Sequence, residues 1–281
     1  MRMKTLKMML AFVATMLAAV SCGSKKQEAP QQKVLVIYYS QTATTKAVAQ
    51  ELAAKLGADV EEIVPVVPYE GDFQATIARW QQEREQGVLP ELKPIEADLA
   101  QYDVIFLGYP VWGGTYAPPV AAFLETADLS GKKIVPFCSF GSGGLDTSIR
   151  DLKEKLPNAE ILSGYGVRKA RLEAMPAEVD NFLKASGFIE GEYTKLPDFN
   201  EQHAVSEKES AIFDKAVGDY PMIKAKATTV ALRTIPGGTE YLFTAANLLR
   251  EGAAPDDPTG EIKVYVTVLE GQTPEFTQVL R

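Results

Sequence analysis

Val34-Leu-Val-Ile-Tyr-Tyr-Ser-Gln-Thr-Ala-Thr-Thr45 runs from an unbroken apolar stretch straight into a cluster of hydroxyls. A strand covered on both faces shows such a run, whereas a half-exposed strand alternates. From Thr44 to Leu56 the residues Val48, Leu52 and Leu56 recur at helical spacing, and Gly57 supplies a stop. Strand, polar turn and helix form the opening unit of a parallel α/β sheet. The same grammar continues outward. Strands are expected at Asp59 to Val64, Val104 to Leu107, Lys133 to Cys138 and Glu160 to Leu162. Helices are expected at Pro119 to Leu124, Leu145 to Leu156 and Pro176 to Ser186. A long insertion bracketed by prolines carries a further polar helix, Phe73 to Gln86. Its Arg79, Trp80, Arg84 and Glu85 read as a lid, a docking surface or a plain solvated helix.

Residues 33–190 thus make one α/β domain. Residues 191–206 are polar and read as a linker. In residues 207–281 the pattern changes. An amphipathic helix from Glu207 to Tyr220 precedes alternating runs at Ala225 to Leu232, Thr239 to Asn247 and Glu261 to Leu269. That succession predicts a smaller α+β domain with antiparallel strands.

Composition narrows the function. The 281 residues are 46% hydrophobic and 23% charged, enough to build a core, and the formal charge is −8. An acidic chain lacks the basic patch that displaces counterions from nucleic acid, so no nucleic-acid partner is expected. One histidine, His203 in the linker, leaves no triad or histidine-bearing metal site, and Cys22 and Cys138 cannot make a disulfide framework. No metal ligands and no acid–base catalytic residues are assigned. Cys138, at a strand end, reads as a small buried hydrophobe.

The N-terminus reads as an address. Arg2, Lys4 and Lys7 precede an apolar run from Met8 to Val20, the size of a signal-peptide core and too short for a relaxed membrane span. Ala19-Val20-Ser21-Cys22 follows and resembles the lipobox of bacterial lipoproteins, which implies cleavage of residues 1–21 and lipidation of Cys22. Residues 22–32 then form a polar, lipidated tether. Removing three positive and no negative charges takes the formal charge from −8 to −11, so acyl chains rather than charge would hold the protein at a membrane. The expected location is the bacterial cell envelope, on the periplasmic or outer-surface side.

Three loops fall at the carboxyl ends of strands, where open α/β sheets bind ligands. Ser40, Gln41, Thr42, Ala43, Thr44 and Thr45 join the first strand to its helix. Their hydroxyls, with the free amides and positive dipole end of the helix, form an anion cradle; an ordinary N-cap is the plainer reading. The Gly-x-x-x-x-Gly-Lys pattern of a P-loop is missing. The second loop includes Pro110, Val111, Trp112, Gly113 and Gly114, where the indole offers a face for stacking or folds over the sheet edge as core. The third is Ser139, Phe140, Gly141, Ser142, Gly143 and Gly144, whose glycines let backbone approach a ligand and whose Phe140 supplies a second aromatic wall. Together they specify a flat ring with a phosphate tail.

Three stretches carry a resemblance: Val34-Leu-Val-Ile-Tyr-Tyr-Ser-Gln-Thr, Ile105-Phe-Leu-Gly-Tyr-Pro-Val-Trp-Gly-Gly-Thr and Val135-Pro-Phe-Cys-Ser-Phe-Gly-Ser-Gly-Gly-Leu. Residues 33–190 resemble the flavodoxin family. The resemblance implies a five-stranded parallel sheet in the order 2-1-3-4-5 with FMN at its edge. Residues 40–45 would hold the phosphate, Trp112 and Phe140 would border the isoalloxazine, and backbone of Gly113, Gly114 and residues 139–144 would reach its rim. The family's loop often reads Thr-Gly-Asn-Thr where this chain has Thr42-Ala43-Thr44-Thr45, and Ala43 adopts a positive φ less readily than glycine. The C-terminal pattern, Ala211 to Tyr220, then Arg233-Thr-Ile-Pro-Gly-Gly-Thr-Glu-Tyr241 and Lys263-Val-Tyr-Val-Thr-Val268, resembles the cystatin family. The hairpin that enters a protease cleft there corresponds to Thr234-Ile-Pro-Gly-Gly238 and lacks the family's Gln. The functional expectation is an exported, lipid-anchored FMN protein that transfers electrons to a protein redox partner, as a carrier or a reductase. The alternative is a non-catalytic surface lipoprotein whose C-terminal domain binds a protein, for instance a protease.

Overall fold

The expected first strand lies inside a parallel sheet, flanked on both sides. The computed structural model describes residues 32–218, 220, 223–248 and 260–280; the expected export segment, Cys22 and residues 23–31 of the tether lie outside the described residues. β1 (Val34–Tyr38) pairs in parallel with β2 (Asp59–Glu62) on one side and β3 (Val104–Trp112) on the other. A two-residue β4 (Thr115–Tyr116) folds back on β3, and β5 (Lys133–Ser139) pairs with β3 in parallel. The fifth position is shared by β6 (Glu160–Ile161) and β7 (Tyr165–Val167), both parallel to β5. The order β2-β1-β3-β5-β6 is the expected 2-1-3-4-5 arrangement with β4 and β7 added.

The continuous apolar run of β1 serves both faces. Val36 and Tyr38 pack with α1 (Thr44–Leu56) and α5 (Met175–Ala185), through Val48, Leu52, Val179 and Leu183. Leu35 and Ile37 face the opposite way, into a core with α3 (Pro118–Thr126) and α4 (Leu145–Lys155) through Val120, Phe123 and Leu152. Each fully buried aliphatic or aromatic side chain contributes about 1.5–3 kcal/mol, so this double-sided core dominates the stability.

The fifth strand is expected as one piece at Glu160 to Leu162 but is split. Leu162 N donates to Ile134 O at 2.9 Å. Two residues further along β5 stands Pro136, which has no N–H to return, so the ladder is interrupted there. Gly164 passes so near Pro136 O that a Cβ would sit 2.6 Å away, and pairing resumes at Tyr165.

Residues 207–280 form the expected α+β half. α6 (Glu207–Val217) starts on a capping box between Ser206 and Glu209 and stops at Gly218, short of the expected Tyr220. It lays Phe213 and Val217 on an antiparallel sheet whose order is β12-β11-β10-β9-β8. These strands are β8 (His203–Ala204), β9 (Ala225–Ile235), β10 (Gly238–Asn247), β11 (Glu261–Leu269) and β12 (Glu275–Leu280). β8 lies within the expected linker, and β12 has no counterpart among the expected strands. His203 pairs with Val230 in β8 and places its Nε2 3.0 Å from Glu209 Oε1, a structural position.

Candidate functional site

The first loop leaves β1 and turns into α1 through Ala43, whose φ of 63° makes it the sole non-glycine residue with positive φ among the described residues. This left-handed turn opens α1, whose first amides have no partner within the helix, the arrangement that makes helix starts good anion sites. Lys46 N donates to Ser40 Oγ at 3.1 Å, so Ser40 replaces a side-chain cap that Ala43 cannot give. The N–H groups of Thr42, Ala43, Thr44 and Thr45 meet no acceptor among the described residues. Among the side chains, Thr45 Oγ1 lies 2.8 Å from Ser139 Oγ, a buried bond that ties the first loop to the third. Thr44 is buried and Thr42 exposed. The expected row of hydroxyls therefore divides: Ser40 and Thr45 hold the loop's shape, which leaves the amides as the candidate cradle.

Gln41 faces elsewhere. Its Oε1 accepts from Tyr39 Oη at 2.5 Å, and its Nε2 donates to Tyr69 O at 2.8 Å. This side chain fastens the loop to the insertion.

The second loop is the end of β3. Trp112 pairs with Thr115 across Gly113 and Gly114, whose φ angles of 59° and 92° give a tight hairpin turn. The Trp112 ring is half-buried and meets Tyr39 and Tyr69 edge-on, with centroids at 6.1 and 5.1 Å. Pro110 and Val111 lead into this turn and are also half-buried. Beside it, Thr115 Oγ1 is buried with no hydrogen-bond partner among the described residues.

The insertion supplies residues that the sequence does not assign to the site. Tyr69 packs on Trp112, and Arg79 lies 3.9 Å above the Tyr69 ring. Arg79 Nε donates to Glu83 Oε1 at 2.8 Å, and Tyr69 Oη donates to Glu83 Oε2 at 2.5 Å. Trp80, on α2 (Phe73–Gln86), lies where a Cβ on Gly113 would be, 2.5 Å from its ring. So α2 covers the second loop. Burial raises the Tyr39 and Tyr69 hydroxyls above their ordinary values, with the Glu83 bond adding to the rise at Tyr69; both stay protonated at neutral pH.

In the third loop Ser139 is buried on Thr45, and Gly144 begins α4 in a left-handed conformation with its Cβ position 2.5 Å from Val111 Cγ1. Second and third loops are therefore in contact. Phe140 departs from expectation. Its ring lies over Gly166 of β7, on the side of β5 away from β3, and so not across from Trp112. The reason is that Gly166 leaves a hollow beside the buried Cys138, and Phe140 fills it. The aromatic surroundings of Trp112 come instead from Tyr39 and Tyr69. Gly141 and Gly143 do not stand open either. A Cβ on Gly141 would clash with the Tyr220 hydroxyl, and one on Gly143 with Val279 O. Cys138 is fully buried, and desolvation pushes its thiol well above the usual range.

None of the residues in the three loops carries an ionisable side chain. Ionisable groups come instead from the insertion, where Arg79 and Glu83 hold the Tyr69 that packs on Trp112. Unpartnered amides at a helix start fit a phosphate, and a half-buried indole with an orphaned hydroxyl beside it fits the edge of a flat, polar ring.

A family model described as Flavodoxin matches residues 33–181. Among solved structures, a candidate flavoprotein from Bacteroides eggerthii is 31% identical, with 53% of this chain and 96% of that one covered, at a TM-score of 0.46. A second, from Bacteroides uniformis, is 27% identical over 53% of this chain and 98% of that one, at 0.48. A flavoprotein in complex with FMN from Lactobacillus acidophilus is 19% identical over 51% and 98%, at 0.44. No curated protein matches.

Proposed function

Because the chain belongs to the flavodoxin family, we propose that it binds FMN at the edge built by residues 40–45, 110–114 and 139–144, and that it transfers electrons from there to a protein partner. FMN is the cofactor that membership of the family supports. The observation that carries the reading is the set of amides at Thr42 to Thr45, which follow the left-handed turn at Ala43 and meet no acceptor among the described residues.

Bound flavin supplies reversible one- and two-electron chemistry; the chain sets its potential and its access. The amides of residues 42–45 would take the phosphate with no lysine or arginine, since dipoles and hydrogen bonds serve in place of a formal charge. Trp112 would stack on the ring, fixed in place by Tyr39 and Tyr69. Ser139 and Thr45 hold two loops together and would keep their backbone groups at one spacing. Gly114 leaves open space where a side chain would stand, so its backbone can approach the ring rim. The acidic chain would dock transiently on a basic partner.

The location is part of the proposal. Cys22 would carry acyl chains and residues 23–32 would serve as the tether, so that the flavin edge works at the surface of a membrane in the cell envelope. The cystatin-like reading of residues 207–281 gives that half a role in protein contact; its helix-on-antiparallel-sheet build is compatible with it.

Anaerobic titration of the full chain in detergent with FMN, followed by flavin absorbance and tryptophan fluorescence, tests the reading. The chain has two tryptophans, so Trp112→Phe and Trp80→Phe separate their signals. Tight binding with most of the quenching lost in Trp112→Phe is expected. No binding at high micromolar FMN would refute it.

A further inference from the structure

The third loop is held from two sides. On its inner side Ser139 bonds to Thr45. On its outer side stands the C-terminal sheet. Val279 N, on β12, donates to Ser142 O at 2.5 Å, and Val279 O occupies the space a Cβ on Gly143 would need. Gly143 has a φ of 153°, so a side chain there would be strained as well as crowded.

One guanidinium joins the two halves. Arg168 follows β7 and is 14% exposed. Its Nε donates to Gly141 O at 2.8 Å, in the loop, while its Nη1 donates to Phe276 O at 2.5 Å, on β12. Its Cζ lies 3.5 Å from the centre of the Phe276 ring. Glu275 adds an ion pair at 3.6 Å, and its Oε1 is buried with no hydrogen bond among the described residues. Removing Arg168 would leave that carboxylate unpaired and two backbone carbonyls without their donor. A planar, forked cation can hold carbonyls on two elements at once; a lysine ammonium on a flexible stem holds them less well.

We infer that the C-terminal sheet is a clamp on residues 140–144, with Arg168 as the positioning residue that transmits it. This rests on the FMN reading for its consequence and on the structure alone for the clamp. The loop that would meet the flavin rim takes its shape only while β12 is docked against it. By reciprocity, FMN would strengthen the docking, and a partner that draws the sheet away would loosen the cofactor. A cofactor site and a contact module would thus be coupled through Arg168 and the bond from Val279 to Ser142.

Hydrogen exchange of the full-length chain in detergent without FMN reads the clamp directly. Losing these bonds should speed exchange of the Val279 amide, the donor to Ser142, and of the Phe140 amide, the donor to Val167, roughly tenfold or more. Arg168→Lys and Gly143→Ala should both do so, the second by pushing Val279 away. The first turn of α1 should exchange as before, and Lys169→Gln, which removes the neighbouring cation, should change nothing. FMN affinity measured on the same Arg168→Lys protein should fall by a similar factor. Unchanged exchange at Val279 and Phe140 in both folded variants would overturn the clamp. Faster exchange with unchanged affinity would overturn its link to the cofactor. Failure of the unaltered chain to bind FMN would instead refute the functional reading, and exchange would still judge the clamp.

Discussion

Replacing Ala43 by glycine should make the protein more stable without tightening its grip on FMN. Ala43 sits at φ 63° and ψ −6°. An L-residue in that region costs roughly 1–2 kcal/mol, because Cβ crowds the following carbonyl. Glycine escapes this and loses roughly 0.5–1 kcal/mol to the extra freedom of its unfolded chain. The net gain is about 0.5–1 kcal/mol, or roughly 1–4 °C in Tm for a chain of this size. A turn that keeps this left-handed form with and without FMN carries the strain in both states, so the strain cancels from affinity. Differential scanning calorimetry of the apo chain measures the first quantity, and flavin titration the second. A Tm that stays or falls would refute the strain argument. An FMN Kd that tightens more than about threefold with Tm unchanged would show that the free loop relaxes, so that the cradle is not preformed.

Further outcomes are expected elsewhere. Trp112→Ala should weaken FMN binding by roughly 5- to 150-fold if stacking is worth the usual 1–3 kcal/mol, read in the same titration. Gly113→Ala should displace Trp80, since its Cβ would come 2.5 Å from that ring; a shift of Trp80 emission in a Trp112→Phe background checks it. Cys138 should resist iodoacetamide in the native protein and react fully in urea, because the fully buried thiol is held in its protonated form. The His203–Glu209 pair should give the C-terminal half a small pH dependence. Glu209 raises the His203 pKa above 6.5, so its contribution is complete below that pH and fades as pH rises through the raised value. Urea melts at pH 6 and pH 8.5, with His203→Gln removing the difference, measure this.

The parallel sheet is legible because its signals are local. The run from Val34, the helical spacing to Leu56 and the stop at Gly57 all lie within one unit of chain, and each has its expected place. The position of the loops follows from topology. What escapes depends on distant partners. The split of the fifth strand is dictated by Pro136, which belongs to β5. β12 lacks the period of two because pairing shifts at a bulge opposite Tyr265 and Val266. Its buried Phe276 and Val279 are three residues apart, a spacing that does not read as a strand. In the site, glycine content announces close approach at residues 141 and 143 without naming what approaches. For those two it is Tyr220 and β12, far along the chain. Likewise Phe140 reads as a wall for a ring, while its hollow is made by Gly166.

The bond from Val279 to Ser142 also bears on solubility. A sheet's outer strands present unpaired backbone groups that recruit other chains. At one edge of the C-terminal sheet β8 is only two residues long. At the other edge the six-residue β12 has the third loop and Arg168 laid along it. Expressed apart from the flavodoxin half, residues 200–281 would bare that strand to solvent and to one another. The α/β half is thus a sheath for its neighbour, and the pair should travel through folding as a single unit that aggregates when cut.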